Sequence, residues 1–238
     1  MNTKVTYSKT EDAWVGFEKF ITDMIESYHV KGVCEVGGGA NPLIKAEYIR
    51  DNAIDYAILD VSKEELDKAP LEYKKIEAEI SDRDFMLSSK FDLVFSKMLA
   101  EHIEDAEQFH KNVFSILNKG GLSIHFFPTL YAFPFLVNRV FPETITNKLL
   151  NFFSPRDLYQ HAKFPAYYSW CRGPTGTQIK RFTDLGYEVV EYRGYFGHSF
   201  YYNRVPLIKR LHVLITSYLL KNPKPLFTSY AWVVLKKP

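Results

Sequence analysis

The residues with the clearest chemical meaning lie in a glycine-rich stretch, residues 35–42, which reads Glu-Val-Gly-Gly-Gly-Ala-Asn-Pro. It follows a predicted β-strand at residues 32–36, and glycines at such a strand-to-helix turn let the backbone approach a ligand closely. A dinucleotide-binding turn needs the spacing G-x-G-x-x-G, and Pro42 stands where its third glycine would be. Glu35 would also repel a pyrophosphate, and no G-x-x-x-x-G-K-[ST] phosphate loop is present. The sequence therefore argues against a phosphate-bearing ligand at this turn.

The stretch from Glu35 to Gly39 resembles the first motif, [DE]-x-G-x-G, of the class I S-adenosylmethionine-dependent methyltransferases. Further matches follow in the order typical of that family. Asp60 ends a second predicted strand, where the family places the acid that binds the ribose hydroxyls, and an ionised carboxylate suits a vicinal diol because it only accepts hydrogen bonds. Residues 91–96 resemble the fourth strand, residues 98–103 the loop after it that often ends in E-H-[VIL], and residues 117–121 the L-x-P-G-G turn before the fifth strand.

The resemblance implies that the cofactor is S-adenosylmethionine, whose sulfonium and ammonium groups favour a nearby acid. The residues it assigns to cofactor binding are Glu35, Gly37, Gly38, Gly39, Asp60, Val61, Glu79, Ile80, Ser96, Lys97 and Met98. No metal site is expected. Two other interpretations stay open: Asp60 could cap the helix predicted after Ser62, and a nicotinamide-dependent oxidoreductase could use the same fold.

His102 is the predicted general base if the methyl acceptor is a hydroxyl, because its loop lies over the expected methyl position in the family; it could equally be a helix-start residue. Tyr131, just past the fifth strand, and His198, in a loop of glycine and aromatic residues, are predicted to line the acceptor site. His125 is expected to be a packed residue of the fifth strand.

Alternating strands and helices predict an α/β fold with a mostly parallel sheet covered by helices on both faces. The resemblance implies a Rossmann-like sheet of seven strands with an antiparallel last strand. We expect a single domain, 1–238, divided into an N-terminal helix (1–30), a cofactor-binding core (31–127), a helical and aromatic lid inserted after strand five (128–174), and a closing helix and strands (175–238). A helix opening at Pro42 and running to about Arg50 is predicted after the glycine turn.

The aromatic insert and the aromatic residues 195–202 favour an acceptor with apolar parts, so we expect a small-molecule, sugar or lipid-linked substrate. The N-P-P-[FYW] motif of enzymes that methylate nucleic-acid amino groups is missing, and the net charge is only +2, so no specific nucleic-acid partner is expected. Protein acceptors stay open, and the sequence does not fix the oligomeric state.

The charge is distributed unevenly along the chain. The 47 residues after Glu191 carry +8 and the first 191 carry −6, which together give the net charge of +2. A basic tail rich in aromatic residues could meet an anionic membrane surface, or could simply be a solvated face. The alternative to an enzyme is therefore a methyltransferase-like domain that binds the cofactor but acts on a partner or a membrane surface.

Neither a signal peptide nor a membrane-spanning stretch is predicted. The two cysteines, Cys34 and Cys171, cannot form a disulfide framework, so the expected location is the cytoplasm.

Overall fold

Eight β-strands form one sheet in the order β1-β7-β8-β6-β5-β2-β3-β4 in the computed structural model, which describes residues 3–132 and 165–238. The strands are β1 (Lys4–Lys9), β2 (Gly32–Val36), β3 (Asp55–Asp60), β4 (Lys74–Glu77), β5 (Phe91–Lys97), β6 (Leu117–Pro128), β7 (Glu188–Phe196) and β8 (Tyr230–Lys236). The α-helices among these residues are α1 (Thr10–Ser27), α2 (Ala46–Asp51), α3 (Lys63–Lys68), α4 (Ala106–Ile116), α5 (Gly176–Asp184) and α6 (Pro206–Lys221).

Strands β2 to β6 are parallel to one another, so their carboxyl ends meet at one edge of the sheet. The last strand, β8, inserts antiparallel between β6 and β7, as predicted. The α/β class and the Rossmann-like arrangement are thus confirmed. Ligands of open parallel sheets bind outside the carboxyl ends of the strands, and this edge is where the site has to be sought.

The predicted count of seven strands is wrong by one. The first residues form β1, which pairs in parallel with β7, before α1 begins at Thr10. Residues 1–30 are therefore not a helix alone. The ring of Tyr7 stacks on Phe196 with centroids 5.5 Å apart, and the Lys4 ammonium lies 3.0 Å from the Glu191 carboxylate. These contacts hold β1 at the edge although its own sequence is mostly polar.

Much of the aromatic content is used in the core between α1 and the sheet. The Phe17 ring is fully buried, with its centroid 5.2 Å from that of Phe126 and 5.1 Å from that of Trp232. Such edge-to-face and tilted pairs add stability beyond the burial of their area. The inward face of α1 is thereby fixed against strands β6 and β8.

Two helices differ from expectation. The helix predicted to open at Pro42 begins only at Ala46, because the Leu43 N–H is bound by the Glu35 carboxylate at 3.0 Å and the Ile44 carbonyl accepts the Tyr73 hydroxyl at 2.9 Å. Residues 206–221, interpreted as part of a solvated tail, form the 16-residue helix α6.

The amphipathic pieces expected in the insert, at residues 145–153 and from residue 154, lie outside the described residues. Within the described parts of the chain, no helix has both the length and the apolar character needed to cross a bilayer.

Candidate active site

The glycine turn after β2 has a backbone that other residues adopt only with strain. Gly37 has φ +77° and Gly39 has φ +46°, both in the left-handed region. A Cβ on Gly37 would lie 2.9 Å from the Leu99 Cδ1 atom, and one on Gly38 would lie 2.9 Å from the Glu35 Cδ atom. The Gly37 N–H donates to the Leu59 carbonyl at 2.8 Å and ties the turn to β3. Both conformation and close approach therefore require glycine here.

Glu35 sits behind this turn rather than in front of it. Its carboxylate accepts the Leu43 N–H at 3.0 Å and the Tyr56 hydroxyl at 2.5 Å. Burial raises the pKa of Glu35 to about 7, although both hydrogen bonds act in the opposite direction. In the structure this side chain positions the loop from Gly37 to Leu43, and its predicted contact with a cationic ligand stays a prediction.

A cavity of about 730 Å³ opens in front of the turn, at the carboxyl ends of β2, β3, β4 and β5. The sequence-predicted residues that line it are Gly37, Gly38, Gly39, Asp60, Val61, Glu79, Ile80, Met98 and His102. The lining carries four carboxylates, from Asp60, Glu64, Glu65 and Glu79, and includes no lysine or arginine of the described residues. The cavity therefore suits a cationic ligand better than a phosphate.

Three predicted cofactor residues, including Glu35, lie outside this lining. The Ser96 hydroxyl is fully buried and lies 2.8 Å from Nδ1 of His125, and the Lys97 ammonium lies 5.4 Å from the centre of the Trp14 ring. Their direct contact with a cofactor stays a prediction. His125 is a buried strand residue, as expected, and burial lowers its pKa to about 3.

Asp60, at the end of β3, faces the glycine turn. Its Oδ1 accepts the Ser62 N–H at 2.9 Å, and its Oδ2 would be 3.3 Å from a Cβ placed on Gly39. The cap of α3 is Ser62, whose hydroxyl accepts the Glu65 N–H at 3.2 Å. The N-cap of α3 is therefore Ser62 and not Asp60, and the Asp60 carboxylate borders the cavity.

The far wall of the cavity is held by Asn112 of α4. Its side-chain amide donates to the Ile80 carbonyl at 2.8 Å and to the Asp82 carbonyl at 2.6 Å. Glu79 accepts the Ser81 N–H at 3.0 Å. These bonds fix the loop after β4 although it has no regular secondary structure.

His102 lines the cavity from a single 3₁₀ turn, Ala100–His102, and α4 starts separately behind the Asp105 cap. Its Nδ1 lies 2.8 Å from the Pro165 carbonyl oxygen. Because a carbonyl only accepts, Nδ1 carries the proton in the neutral ring, and Nε2 is then the basic nitrogen. In this tautomer Nε2 is free of a proton, and the role of His102 as a general base stays a prediction.

Glu101, next in the chain, is only 4% exposed, and burial raises its pKa to about 8. Its Oε1 lies 3.9 Å from Nε2 of His102, and its Oε2 has no hydrogen-bond partner among the described residues. Its backbone carbonyl accepts the N–H groups of Tyr167 at 2.7 Å and Tyr168 at 3.0 Å. These bonds hold Tyr167 at the cavity wall, beside Pro165 on His102. The sequence did not predict either residue, because no local pattern marks them.

A second cavity, of about 590 Å³, lies at the same edge of the sheet. Its border consists of residues 131–132, 197–198, 202, 227 and 229 and of residues of α6. It brings together Tyr131 and His198, the two residues predicted for the acceptor. His198 has Nδ1 2.7 Å from the Ser229 hydroxyl and Nε2 3.0 Å from the Tyr202 hydroxyl, and burial lowers its pKa to about 3. It is therefore a neutral, fixed hydrogen-bonding group at pH 7. Leu214, Ile215, Leu219 and Phe227 make much of the remaining lining apolar.

No group of three His, Cys, Asp or Glu side chains within residues 3–132 and 165–238 is placed to hold a metal ion.

Comparison with known proteins points to one class. Residues 35–125 match the sequence model of the family described as "Methyltransferase domain". No curated protein matches the sequence. Similar solved structures include the N-methyltransferase NodS from Bradyrhizobium japonicum in complex with S-adenosyl-L-homocysteine, at 12% identity and a TM-score of 0.52, covering 93% of this chain and 86% of that one.

Two further structures show the same fold. An S-adenosylmethionine-dependent methyltransferase from Clostridium acetobutylicum is 14% identical with a TM-score of 0.55, covering 94% of this chain and 95% of that one. One from Archaeoglobus fulgidus is 13% identical with a TM-score of 0.51, covering 95% and 97%. Residues 35–125 thus carry a methyltransferase domain, and the chain as a whole shares its fold with solved S-adenosylmethionine-dependent methyltransferases.

Proposed function

We propose that this enzyme moves a methyl group from S-adenosylmethionine to a small-molecule, sugar or lipid-linked acceptor by in-line displacement. The observation that carries the proposal is the first cavity: a glycine turn facing Asp60, with four carboxylates and no lysine or arginine among the described lining residues. A positively charged nucleoside without phosphates is the ligand that this arrangement favours.

The residues present fit the cofactor. A side chain at Gly37 would run into Leu99 and one at Gly39 would approach Asp60, and both of these residues line the cavity. These two glycines therefore keep a backbone surface open on which a nucleoside can lie. Asp60 offers a carboxylate across from that surface and suits the ribose hydroxyls, while Ile80 and Leu99 give apolar contacts. When bound, the cofactor supplies a methyl group that needs no metal to react.

The chain's own task is then to position the acceptor, to exclude water and to accept a proton. A bound cofactor would supply the methyl group and would leave without it, and Nε2 of His102 would accept the proton that the acceptor loses. The nearby Glu101 carboxyl lies 3.9 Å from that nitrogen, and in its ionised form it stabilises the resulting imidazolium.

The second cavity supports an acceptor with an apolar portion. Its lining combines aliphatic residues of α6 with a few fixed polar groups, His198, Tyr202 and Ser229, which is the usual composition of a small-molecule site. We infer that the acceptor's apolar part lies there, with Tyr131 at its border. A cytoplasmic location stays part of this proposal and is supported by the two buried, unpaired cysteines.

The test begins with calorimetry of S-adenosylmethionine and of NAD. We expect binding of the former only; binding of NAD instead would contradict the proposal and favour the oxidoreductase alternative. Release of S-adenosylhomocysteine is then measured with pools of sugars, lipids and small amines or phenols. His102→Ala should lower turnover of a hydroxyl acceptor by about 10²-fold or more and remove the fall in rate on the acidic side of the pH profile, where a general base is protonated. Unchanged turnover across pH would exclude His102 as the base.

A second candidate function is a methyltransferase-like module that binds the cofactor without using it. The specific observation in its favour is α6, none of whose residues is buried. This second function predicts that the protein binds the cofactor but releases no S-adenosylhomocysteine with any acceptor pool. An active methyltransferase would release it with at least one pool.

A further inference from the structure

Helix α6 presents an apolar stripe to solvent. The stripe consists of Leu207, Leu211, Leu214, Ile215 and Tyr218, which are 79%, 57%, 68%, 47% and 62% exposed. Leu207, Leu211, Leu214 and Tyr218 are spaced by three or four residues, so they share one side of the helix. Leu226 and Phe227, in the turn after the helix, are exposed as well. Contiguous apolar surface of this kind marks an interaction site rather than chance exposure.

The other side of α6 is seated on the domain, which fixes the direction of the stripe. The His212 ring accepts the backbone N–H of His198 at its Nε2 at 2.8 Å. The Thr216 Cγ2 atom lies 3.2 Å from where a Cβ on Gly197 would be, and Leu219 lines the second cavity. The stripe therefore faces away from the sheet because the helix is held by its opposite side.

The charge around the stripe has one sign. Residues 192–238 contain eight lysines and arginines and no aspartate or glutamate. Within and just after α6 these are Lys209, Arg210, Lys221 and Lys224, all exposed. Two copies of such a face would repel each other, whereas an anionic surface would attract it. Charge complementarity thus favours a lipid surface over a second copy of this chain.

We propose that α6 is an interfacial helix that docks the enzyme on an anionic lipid bilayer. The stripe enters the boundary between headgroups and acyl chains, and the basic residues contact lipid phosphates. A helix of 16 residues with a polar, basic side lies in the plane of the interface rather than across it. This docking goes beyond methyl transfer and does not depend on it.

The second cavity lies beside the apolar stripe, so docking on a bilayer would affect access to it. Leu214, Ile215 and Tyr218 belong both to the stripe and to the cavity lining. A bilayer that covers the stripe therefore meets the border of that cavity. If the proposed function holds, the acceptor class this geometry favours is a lipid or lipid-linked molecule.

The test is co-sedimentation of the full chain with vesicles of phosphatidylcholine alone or with roughly one quarter phosphatidylglycerol, in about 0.1 M salt. We expect binding to the anionic vesicles that weakens as salt is raised. Leu207→Ser with Leu214→Ser should reduce the partition coefficient by about tenfold or more for each leucine. Arg210→Ser with Lys221→Ser should reduce it by about fivefold for each charge.

Matched controls carry the same changes elsewhere on the surface. Leu71→Ser with Met86→Ser removes side chains that are 93% and 92% exposed, and Lys63→Ser with Lys119→Ser removes exposed charges. Both should bind vesicles like the unchanged protein. Thermal unfolding and cofactor binding, measured without lipid, show that each variant is folded.

Three results would overturn the proposal. The first is that the protein sediments equally with neutral and with anionic vesicles. The second is that the variant with Leu207→Ser and Leu214→Ser binds vesicles as well as its control with Leu71→Ser and Met86→Ser. The third is a lipid-free dimer that dissociates in the Leu207 and Leu214 variant, because a second copy would then cover the stripe. None of these readouts uses methyl transfer, so they fail or succeed independently of the proposed function.

Discussion

Among the acidic residues near the first cavity, Glu101 is the one whose pKa burial raises most. Burial raises its pKa from the ordinary 4.5 to about 8, so the folded chain holds this proton more tightly than the unfolded chain does. Stability is therefore lost as the pH rises from about 4.5 to about 8, because ionisation in the interior then opposes folding.

Glu101→Gln cannot ionise and should escape this loss. We expect its free energy of unfolding to be close to that of the unchanged protein near pH 4.5 and to exceed it above pH 8 by up to roughly 5 kcal/mol, at about 1.4 kcal/mol per pKa unit. Urea unfolding across this pH range measures the difference. Glu104→Gln, an exposed acid three residues away, should follow the unchanged protein. If the free energies of unfolding of Glu101→Gln and of the unchanged protein differed by the same amount at every pH, the Glu101 carboxyl would not be desolvated in the folded state.

Gly37 gives a second prediction at the level of single residues. Alanine at its φ of +77° costs about 1–2 kcal/mol in backbone strain, and its Cβ would lie 2.9 Å from Leu99 Cδ1. Gly37→Ala should therefore lower the free energy of unfolding by at least that amount and weaken S-adenosylmethionine binding about tenfold, measured by denaturation and calorimetry. Gly176→Ala, at the start of α5 with no atom near the added Cβ, is the control and should change neither. Full affinity in Gly37→Ala would show that the ligand does not lie against this turn.

At the level of elements, α4 supports the cavity wall through one side chain. Asn112 is 6% exposed and holds the carbonyls of Ile80 and Asp82. Asn112→Ala leaves both carbonyls without this donor, which should cost about 1–3 kcal/mol of stability and reduce cofactor affinity several-fold. Lys111→Ala, exposed on the same helix, is the matched control. A variant that loses stability but keeps full affinity would show that the loop after β4 is not part of the binding surface.

The elements that could be predicted from sequence are those with a strong local pattern. Strands β2, β3 and β5 are short, mostly apolar runs that the fold buries, and α4 has both a cap and helical spacing. Strand β1 could not be predicted, since its residues pair with partners almost 190 positions away and carry little apolar signal. The late start of α2 follows from the Glu35 carboxylate, a contact that no local pattern shows.

The same distinction holds within the site. Asp60 and the glycine turn were predictable because motif spacing places them at neighbouring strand ends. Pro165 and Tyr167 were not, because they come from a distant part of the chain: Tyr167 is held by its N–H bond to the Glu101 carbonyl, and Pro165 by its carbonyl contact with His102. The direction of the apolar stripe of α6 could not be predicted for another reason: apolar residues occur on several sides of this segment, and only the contacts of His212 and Thr216 with distant residues show which side faces the domain.

The whole molecule places both cavities on one edge of a single sheet, with the first at β2 to β5 and the second at the ends of β6 and β7. A ligand that binds only the folded state stabilises the entire domain. At a concentration of about 100 times its Kd, S-adenosylmethionine should add about 2.7 kcal/mol. For a chain of 238 residues this corresponds to a rise in Tm of roughly 5–10 °C.

Asp60→Ala should remove most of that rise, because the carboxylate facing Gly39 is lost from the cavity while the strand itself is kept. Asp55→Ala, an exposed acid at the opposite end of β3, is the matched control and should retain the full rise. Differential scanning fluorimetry with S-adenosylmethionine, S-adenosylhomocysteine and NAD measures each shift. If S-adenosylmethionine stabilised the Asp60 variant as strongly as the Asp55 variant, the ligand would have to bind elsewhere. If NAD raised the Tm as much as S-adenosylmethionine does, a pyrophosphate would be tolerated among the four carboxylates, and the charge of the cavity would not explain which ligand binds.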